Sequence, residues 1–216
     1  MRLSPATLTA ILLTGFTTAV ALWAWTALPA GAGVPVNYLA LDGIRHHGVF
    51  RGGVWIMPFV SAVVTLSLTL AGRRRGLPQA AALPLEMTMI SVVGVLMVTE
   101  LALVGRATDP AFNVLRPVAA AVGVLLIAVG NYLGKARRNA IFGLKTPWTL
   151  ADETVWDRTH RFTGLGMVLG GIVLIAIALM VGEAMVLGLA IAACAALPPL
   201  AGIARSAGLY RQVQRG

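Results

Sequence analysis

Polar and apolar positions in this chain come in blocks and do not alternate. Six stretches are almost wholly apolar, at 7–28, 54–72, 83–104, 115–134, 164–181 and 184–204. None shows the period of two that marks a half-buried strand. A helix of about 20 residues spans a hydrocarbon layer roughly 30 Å thick, and it satisfies its own backbone donors and acceptors there. The pattern therefore predicts an all-α polytopic membrane protein of about six transmembrane helices.

The polar segments between the blocks differ in length. Residues 29–53 form one long connection, holding Asp42, Arg45, His46, His47 and Arg51 with glycines and prolines at its turns. Residues 135–161 form the other and are the most polar part of the chain. The fifth and sixth blocks are separated by little more than Gly182-Glu183, which predicts a tight antiparallel hairpin. The organisation expected is an N-terminal membrane region at 1–112 with about three helices, followed by a second three-helix domain at 113–216.

Composition agrees with lipid as the main solvent, because 58% of the 216 residues are hydrophobic and 12% are charged. The mean hydropathy is +0.84. Net charge is +9, yet the cations are dispersed among loops and form no nucleic-acid face. With the N-terminus inside, 13 of the 17 Lys and Arg fall on the inner side, at positions 2, 73–75, 135, 137, 138, 145, 158, 161, 205, 211 and 215. Arg45, Arg51, Arg106 and Arg116 fall outside. This bias predicts both termini in the cytoplasm, with 135–161 as an interfacial cytoplasmic segment and 29–53 as an external loop. Arg2, the first apolar stretch and Ala30-Gly31-Ala32 also read as a secretory signal. The stretch is longer than the apolar part of such signals, and a retained helix is the expectation.

Cys194 is the sole cysteine and lies in an apolar block, so neither a disulfide nor a cysteine metal site is expected. The adjacent His46 and His47 diverge, and His160 falls on the opposite side. No metal or cofactor is expected. Nucleophile elbows, H-E-x-x-H and phosphate-binding glycine loops are absent from the sequence, which argues against an enzyme. Glu86 and Glu100 lie in the third block, about 40° apart around a helix and roughly 21 Å apart along it. Intramembrane carboxylates are candidates for an ion or proton path, against an interfacial reading near the span ends. Small residues at Gly130/Gly134, Gly166/Gly170 and Gly188/Ala192/Ala196 predict close helix packing. Pro198-Pro199 predicts a kink or an end in the last helix.

In 135–161 and the turn before it, rare residue types stand at fixed spacing. They are Gly130-Asn131-Tyr132, Asn139, Gly143, then Lys145-Thr146-Pro147-Trp148-Thr149-Leu150, and then Glu153, Val155-Trp156, Thr159-His160-Arg161 and Gly164. Pro147 disfavours helix at Thr146, which suggests Thr149 as an N-cap with Asp152 three positions on and a helix from Leu150 into the fifth span. Glu153, Trp156 and His160 share a face, with His160 as a partner for Glu153 and Asp157 placed to pair with Arg161. Trp148 and Trp156 are expected at headgroup depth, and Lys135, Arg137, Arg138 and Lys145 form a basic collar beside anionic lipid. An anchored collar explains these residues structurally; a docking surface or polar gate explains them functionally.

This segment resembles the SdpI family of bacterial membrane immunity proteins. Pro35, Asp42-Gly43 and Pro58 are similar to a domain that often precedes it, with His46, His47 and Phe50 standing where aromatic and lysine residues are usual. The resemblance implies protection of the membrane against a secreted peptide toxin, and signalling through a transcriptional repressor recruited to the cytoplasmic loop. It implies a binding or signalling role for Asn131, Tyr132, Asn139, Gly143, Lys145, Thr146, Pro147, Trp148, Thr149, Glu153, Trp156, Thr159, His160 and Arg161. A small transporter or ion-conducting protein using Glu86 and Glu100 is the alternative from another class.

Overall fold

The computed structural model describes residues 3–29, 31–39, 45–72, 79–139 and 142–214. The expected Asp42-Gly43 turn and the basic positions 2, 73–75 and 215 lie outside these residues. Among the described residues, six helices are long and apolar enough to cross a membrane. They are α1 (Pro5–Ala27), α2 (Ile56–Gly72), α3 (Gln79–Thr108), α4 (Leu115–Leu133), α6 (Glu153–Met180) and α7 (Ala184–Val213). A one-turn helix, α5 (Pro147–Ala151), precedes α6. The all-α polytopic class read from the apolar blocks is the class observed.

Local chemistry sets the ends. Ser4 caps α1 by accepting from the Thr7 N–H at 3.1 Å, with Pro5 at the first helical position where its missing donor costs nothing. The helix stops at Leu28, whose φ of −75° and ψ of 142° are the extended values imposed by Pro29. The connection that follows is an antiparallel hairpin of β1 (Val34–Leu39) and β2 (Arg45–Phe50), in register from Val34 opposite Phe50 to Leu39 opposite Arg45. Hydropathy blocks alone did not predict this hairpin. Its outer end is anchored by Arg51, which donates to the carbonyls of Trp25 and Leu28 and lies 5.0 Å from the Trp25 ring.

Successive spans run antiparallel, which creates a hairpin end and an opposite end carrying the segment that follows α4. At the hairpin end Asn113 donates to Gly182 O at 2.6 Å and Arg116 Nε to Val181 O at 3.1 Å. These bonds clasp the α3–α4 turn to the short α6–α7 link. The polar loop end is described below.

Three apolar clusters fill the interior. Ala6, Ala10, Met89 and Val93 meet between α1 and α3, and Ala21, Ala24, Leu28, Val54 and Val104 meet nearer the hairpin. Ala119, Leu126, Leu174, Ala178 and Leu187 join α4, α6 and α7. Large apolar side chains such as Leu12, Phe59, Leu66, Leu179 and Met185 face outward, where lipid covers them.

Close approach of α4 and α6 depends on glycines seven residues apart on each helix. A Cβ at Gly130 would sit 2.6 Å from Gly164 O, and one at Gly164 would sit 2.5 Å from Gly130 O. The same reciprocity joins Gly123 and Gly171, at 2.8 and 2.5 Å. The four-residue spacings expected to matter divide differently: Gly166 and Gly170 face Pro198 and Cys194 on α7, and Gly188 has nothing near it. Pro198-Pro199 does not end the last helix, which continues to Val213. Packing on α6 sustains it, since a Cβ at Gly170 would lie 3.3 Å from Cys194 O, the carbonyl four residues before Pro198.

Backbone oxygens cannot yield as a flexible side chain does. Gly164→Ala and Gly171→Ala are therefore expected to cost about 1–3 kcal/mol each through overpacking. Gly188→Ala should change nothing. Thermal unfolding of the purified protein in one detergent orders the three variants.

Candidate functional site

Helix α4 ends at Leu133, and among the described residues no helix resumes until Pro147. Such a stretch beside a bilayer needs partners for its donors and acceptors, and α5, α6 and α7 supply them. Asn139 accepts from the Phe142 N–H at 2.7 Å and donates to Arg137 O at 2.8 Å, which closes the first turn. Gly143 follows with φ of 124°, a backbone region that L side chains rarely adopt. A Cβ there would also lie 2.5 Å from His160 Nε2 and 2.9 Å from the Trp156 ring. Glycine is thus required twice, once by conformation and once by space.

Leu144 is held from both sides. Its N–H donates to His160 Nε2 at 2.8 Å and its carbonyl accepts from Thr149 Oγ1 at 2.8 Å. Because Nε2 accepts, the imidazole is neutral with its proton on Nδ1, which donates to Trp156 O at 2.7 Å. The His160 ring stacks on Trp156 with centroids 3.9 Å apart and planes at 20°. Trp156 in turn donates from Nε1 to Ala136 O at 2.7 Å. Two fully enclosed side chains one turn apart on α6 therefore grip the loop near its beginning and near its end.

The capping differs from the sequence expectation. Thr146, not Thr149, caps α5, and the two threonines form a reciprocal box: Thr149 N–H to Thr146 Oγ1 at 3.2 Å and Thr146 N–H to Thr149 Oγ1 at 2.9 Å. Pro147 at the first helical position favours this placement. The helix does not run on into the span. Asp152 breaks it with φ of −133° and ψ of 133°, and its carboxylate then caps α6 through the Val155 N–H at 2.9 Å. Arg138 seals the break by donating to Leu150 O at 3.0 Å.

Trp148 reaches across to α7, where its Nε1 donates to Ser206 Oγ, which itself donates to Ile203 O at 2.6 Å. A Cβ at nearby Gly202 would meet Thr163 and would lie 3.1 Å from Leu144 Cδ1. The loop is thereby wedged between α6 and α7.

Of the residues singled out in sequence, Asn139, Thr146, Thr149, Trp156, Thr159 and His160 are buried. Gly143 and Trp148 are half-buried. Asn131, Lys145, Pro147, Glu153 and Arg161 are exposed, and Tyr132 is half-buried. Asn131 accepts from Lys135 Nζ at 3.0 Å. Glu153, Asp157, Arg158 and Arg161 line a shallow open groove. Two expectations are corrected. Trp156 does not offer its ring and N–H to lipid headgroups, because it is fully enclosed and its N–H is taken by the Ala136 carbonyl. His160 does not partner Glu153, because both ring nitrogens are engaged by backbone.

Glu86 and Glu100 are not part of this wedge. Glu100 is fully buried eight residues before the end of α3, so it does not reach the interface as expected. Ala136, Leu144, Gly202 and Ser206 escaped the sequence reading. The first two act through backbone, which no side chain advertises, and Ser206 lies far along the chain from its partner.

Comparison with known proteins coincides with this wedge. Residues 135–202 match the SdpI/YfhL protein family. The immunity protein SdpI of Bacillus subtilis (strain 168) is 41% identical over 66 residues, which amount to 31% of this chain and 32% of that protein. The match thus covers about a third of the relative. No solved structure matches the chain.

Trp156→Phe keeps the stack on His160 and deletes one donor, leaving Ala136 O unpaired. A loss of about 1–3 kcal/mol in stability is expected. Gly143→Ala should also destabilise, while Lys145→Ala should be neutral. Urea unfolding in mild detergent, followed by tryptophan fluorescence, distinguishes these outcomes; unchanged midpoints for both Trp156→Phe and Gly143→Ala would contradict the wedge.

Proposed function

We propose that this multi-pass membrane protein, whose residues 135–202 match the SdpI/YfhL protein family, is a membrane immunity protein protecting its cell against a secreted, membrane-active peptide. The observation that carries the reading is the coincidence of the matched segment with the wedge: residues 135–202 contain Ala136, Asn139, Gly143, Leu144, Thr149, Trp156 and His160, which fix the loop against α6. Support for the sidedness comes from the 13 to four charge bias, which assigns the wedge end to the cytoplasm. The hairpin end then faces the arriving peptide.

Protection follows from competition. An amphipathic peptide that enters lipid as a helix meets a bundle whose outward faces are apolar, and a groove between spans binds it before it assembles. The α6–α7 pair is suited to report occupancy. Its outer ends are tied by a three-residue link, whereas its inner ends are tied by Trp148 to Ser206 and by Leu144 against Gly202. A peptide that binds one spacing of the pair better than the other shifts the population of the inner contacts. The exposed groove of Glu153, Asp157, Arg158 and Arg161 is where a cytoplasmic repressor docks in this reading. The domain division at 112–113 belongs to the same proposal, with the second half sensing and the first half supporting it.

The test is survival. Cells sensitive to a toxin of the sporulation-delaying type and expressing this chain should grow through a challenge that stops empty-vector cells. Trp148→Phe, which cuts the tie to Ser206, should weaken protection at equal membrane abundance. A triple reversal at Glu153, Arg158 and Arg161 should leave survival intact and abolish recruitment of a repressor fused to a fluorescent reporter. Death of the wild-type-expressing cells at normal abundance would end the immunity reading.

A further inference from the structure

The interior of the first three spans is not uniformly apolar. Between the Ala6–Met89 cluster and the Ala24–Val104 cluster lie Thr17, Ser61 and Glu100, each 0% exposed. The Thr17 hydroxyl donates to Leu13 O at 2.8 Å. Ser61 Oγ and both carboxylate oxygens of Glu100 have no hydrogen-bond partner. An unpaired polar group in a low-dielectric interior is costly, so three such atoms on facing helices call for a ligand.

Cross-ties fix the level of these groups. Thr69 Oγ1 contacts Met89 Sδ at 3.8 Å, and Thr14 and Thr65 share a hydroxyl pair at 3.3 Å. Since α2 runs antiparallel to α3, Ser61 is level with Met97, and Val54 beside Val104 continues the same register. The Cα–Cβ bonds of a helix tilt toward its N-terminus, so the Glu100 carboxyl descends toward Ser61. Thr17, one turn beyond Thr14 on α1, stands at that level too.

From this layer a line of hydroxyls leads to one end of the bundle only. Thr14 and Thr65 come next, then Thr7 and Thr69, which border a cleft that also holds Ser4 and half-buried Glu86. Glu86 and Glu100 are roughly 21 Å apart along α3. In the other direction Ala21, Ala24, Leu28, Val54 and Val104 close the interior. The charges around the site are engaged elsewhere. Neither α1 nor α2 carries an ionisable side chain. Arg51 is held at the hairpin end by Trp25 and Leu28, and Arg106 by the carbonyls of Pro110 and Phe112. From α4, Arg116 is held by Val181, and Tyr132 stands at the far end of that helix.

We propose that Glu100 is a proton-binding site of the first three spans, loaded and unloaded from the Glu86 end through the Thr7, Thr69, Thr14, Thr65 and Ser61 hydroxyls. A metal cation fits poorly, because hard cations want about six or more oxygens and this layer offers four at most. A proton needs one oxygen and a relay. On loading, a proton passes from water in the cleft along the hydroxyls to one Glu100 oxygen, and the carboxylate becomes a neutral carboxylic acid on the helix facing Ser61. On release the same path runs in reverse, and no electron is exchanged. The site stands independently of the immunity reading and uses none of the wedge residues.

A lipid-soluble carbodiimide tests it on the full-length protein in vesicles. The reagent adds to a protonated carboxyl: the acid proton goes to one nitrogen, the carboxyl oxygen bonds to the central carbon, and acyl migration to the other nitrogen leaves a stable N-acylurea without a leaving group. One adduct is expected, mapped to Glu100 by peptide mass spectrometry and absent in Glu100→Gln. Above the site's midpoint its initial rate should fall about tenfold per pH unit, as the acid fraction does. Absence of a Glu100 adduct at every pH, or a rate indifferent to pH, overturns the site. The route is tested by Thr14→Val with Thr65→Val, which keeps shape and removes both hydroxyls. The carboxyl infrared band should then respond more slowly than wild type to a pH jump, and equal rates overturn the route while the wild-type labelling still decides the site.

Discussion

The stacked pair of Trp156 and His160 is the interaction on which the segment from Lys135 to Gly202 turns. A helical bundle in lipid satisfies its backbone by repetition, and an irregular stretch between Gly134 and Pro147 interrupts that repetition at the edge of the membrane. Trp156 accepts the burden at Ala136 and His160 at Leu144, each with a side-chain nitrogen delivered from one face of α6. The stack fixes both rings, and Gly143 is the only residue type that lets the chain pass beside them. Loss of the Trp156 indole leaves Ala136 O without its donor, and loss of the His160 ring leaves the Leu144 N–H without its acceptor.

Rigid packing below makes this grip effective. The reciprocal contacts of Gly123 with Gly171 and Gly130 with Gly164 set α4 against α6 backbone to backbone, so the loop departs from a fixed place and returns to a fixed place. On the other side of α6 the contact with α7 uses Pro198, Cys194, Gly202 and the reach of Trp148. Side chains rather than carbonyls dominate that second seam.

The spans were legible because length and apolarity are properties of consecutive residues, and lipid reads them in the same order. Local capping was legible in principle: Pro147 prefers the first helical position, which makes Thr146 the cap, yet the acidic residue three positions after Thr149 pointed to the wrong threonine. Asp152 then proved to cap the next helix instead. The pairing of glycines seven apart on two helices is a relation between distant segments, and four-residue spacing within one helix did not disclose it. Nor could hydropathy separate an enclosed Trp156 from an interfacial one, since an indole suits both places and only the Ala136 carbonyl decides. The hairpin of β1 and β2 was hidden for a similar reason, since its strands are short and carry no clear alternation.

The two halves of the bundle thus treat polarity in opposite ways. In the second half, among the described residues, every buried polar side-chain atom of the wedge except the hydroxyls of Thr159 and Thr163 has a partner, and the result is a fixed shape. In the first half a carboxylate and a serine face one another's helices with no partner, between two apolar clusters that would pack as well without them. Stability does not account for such a pair, because an apolar substitute of equal volume would remove the desolvation cost. An interior polar group that weakens its own helix bundle is retained by what it binds, and a site that lies between clusters and opens toward a single end exchanges its ligand with that side alone.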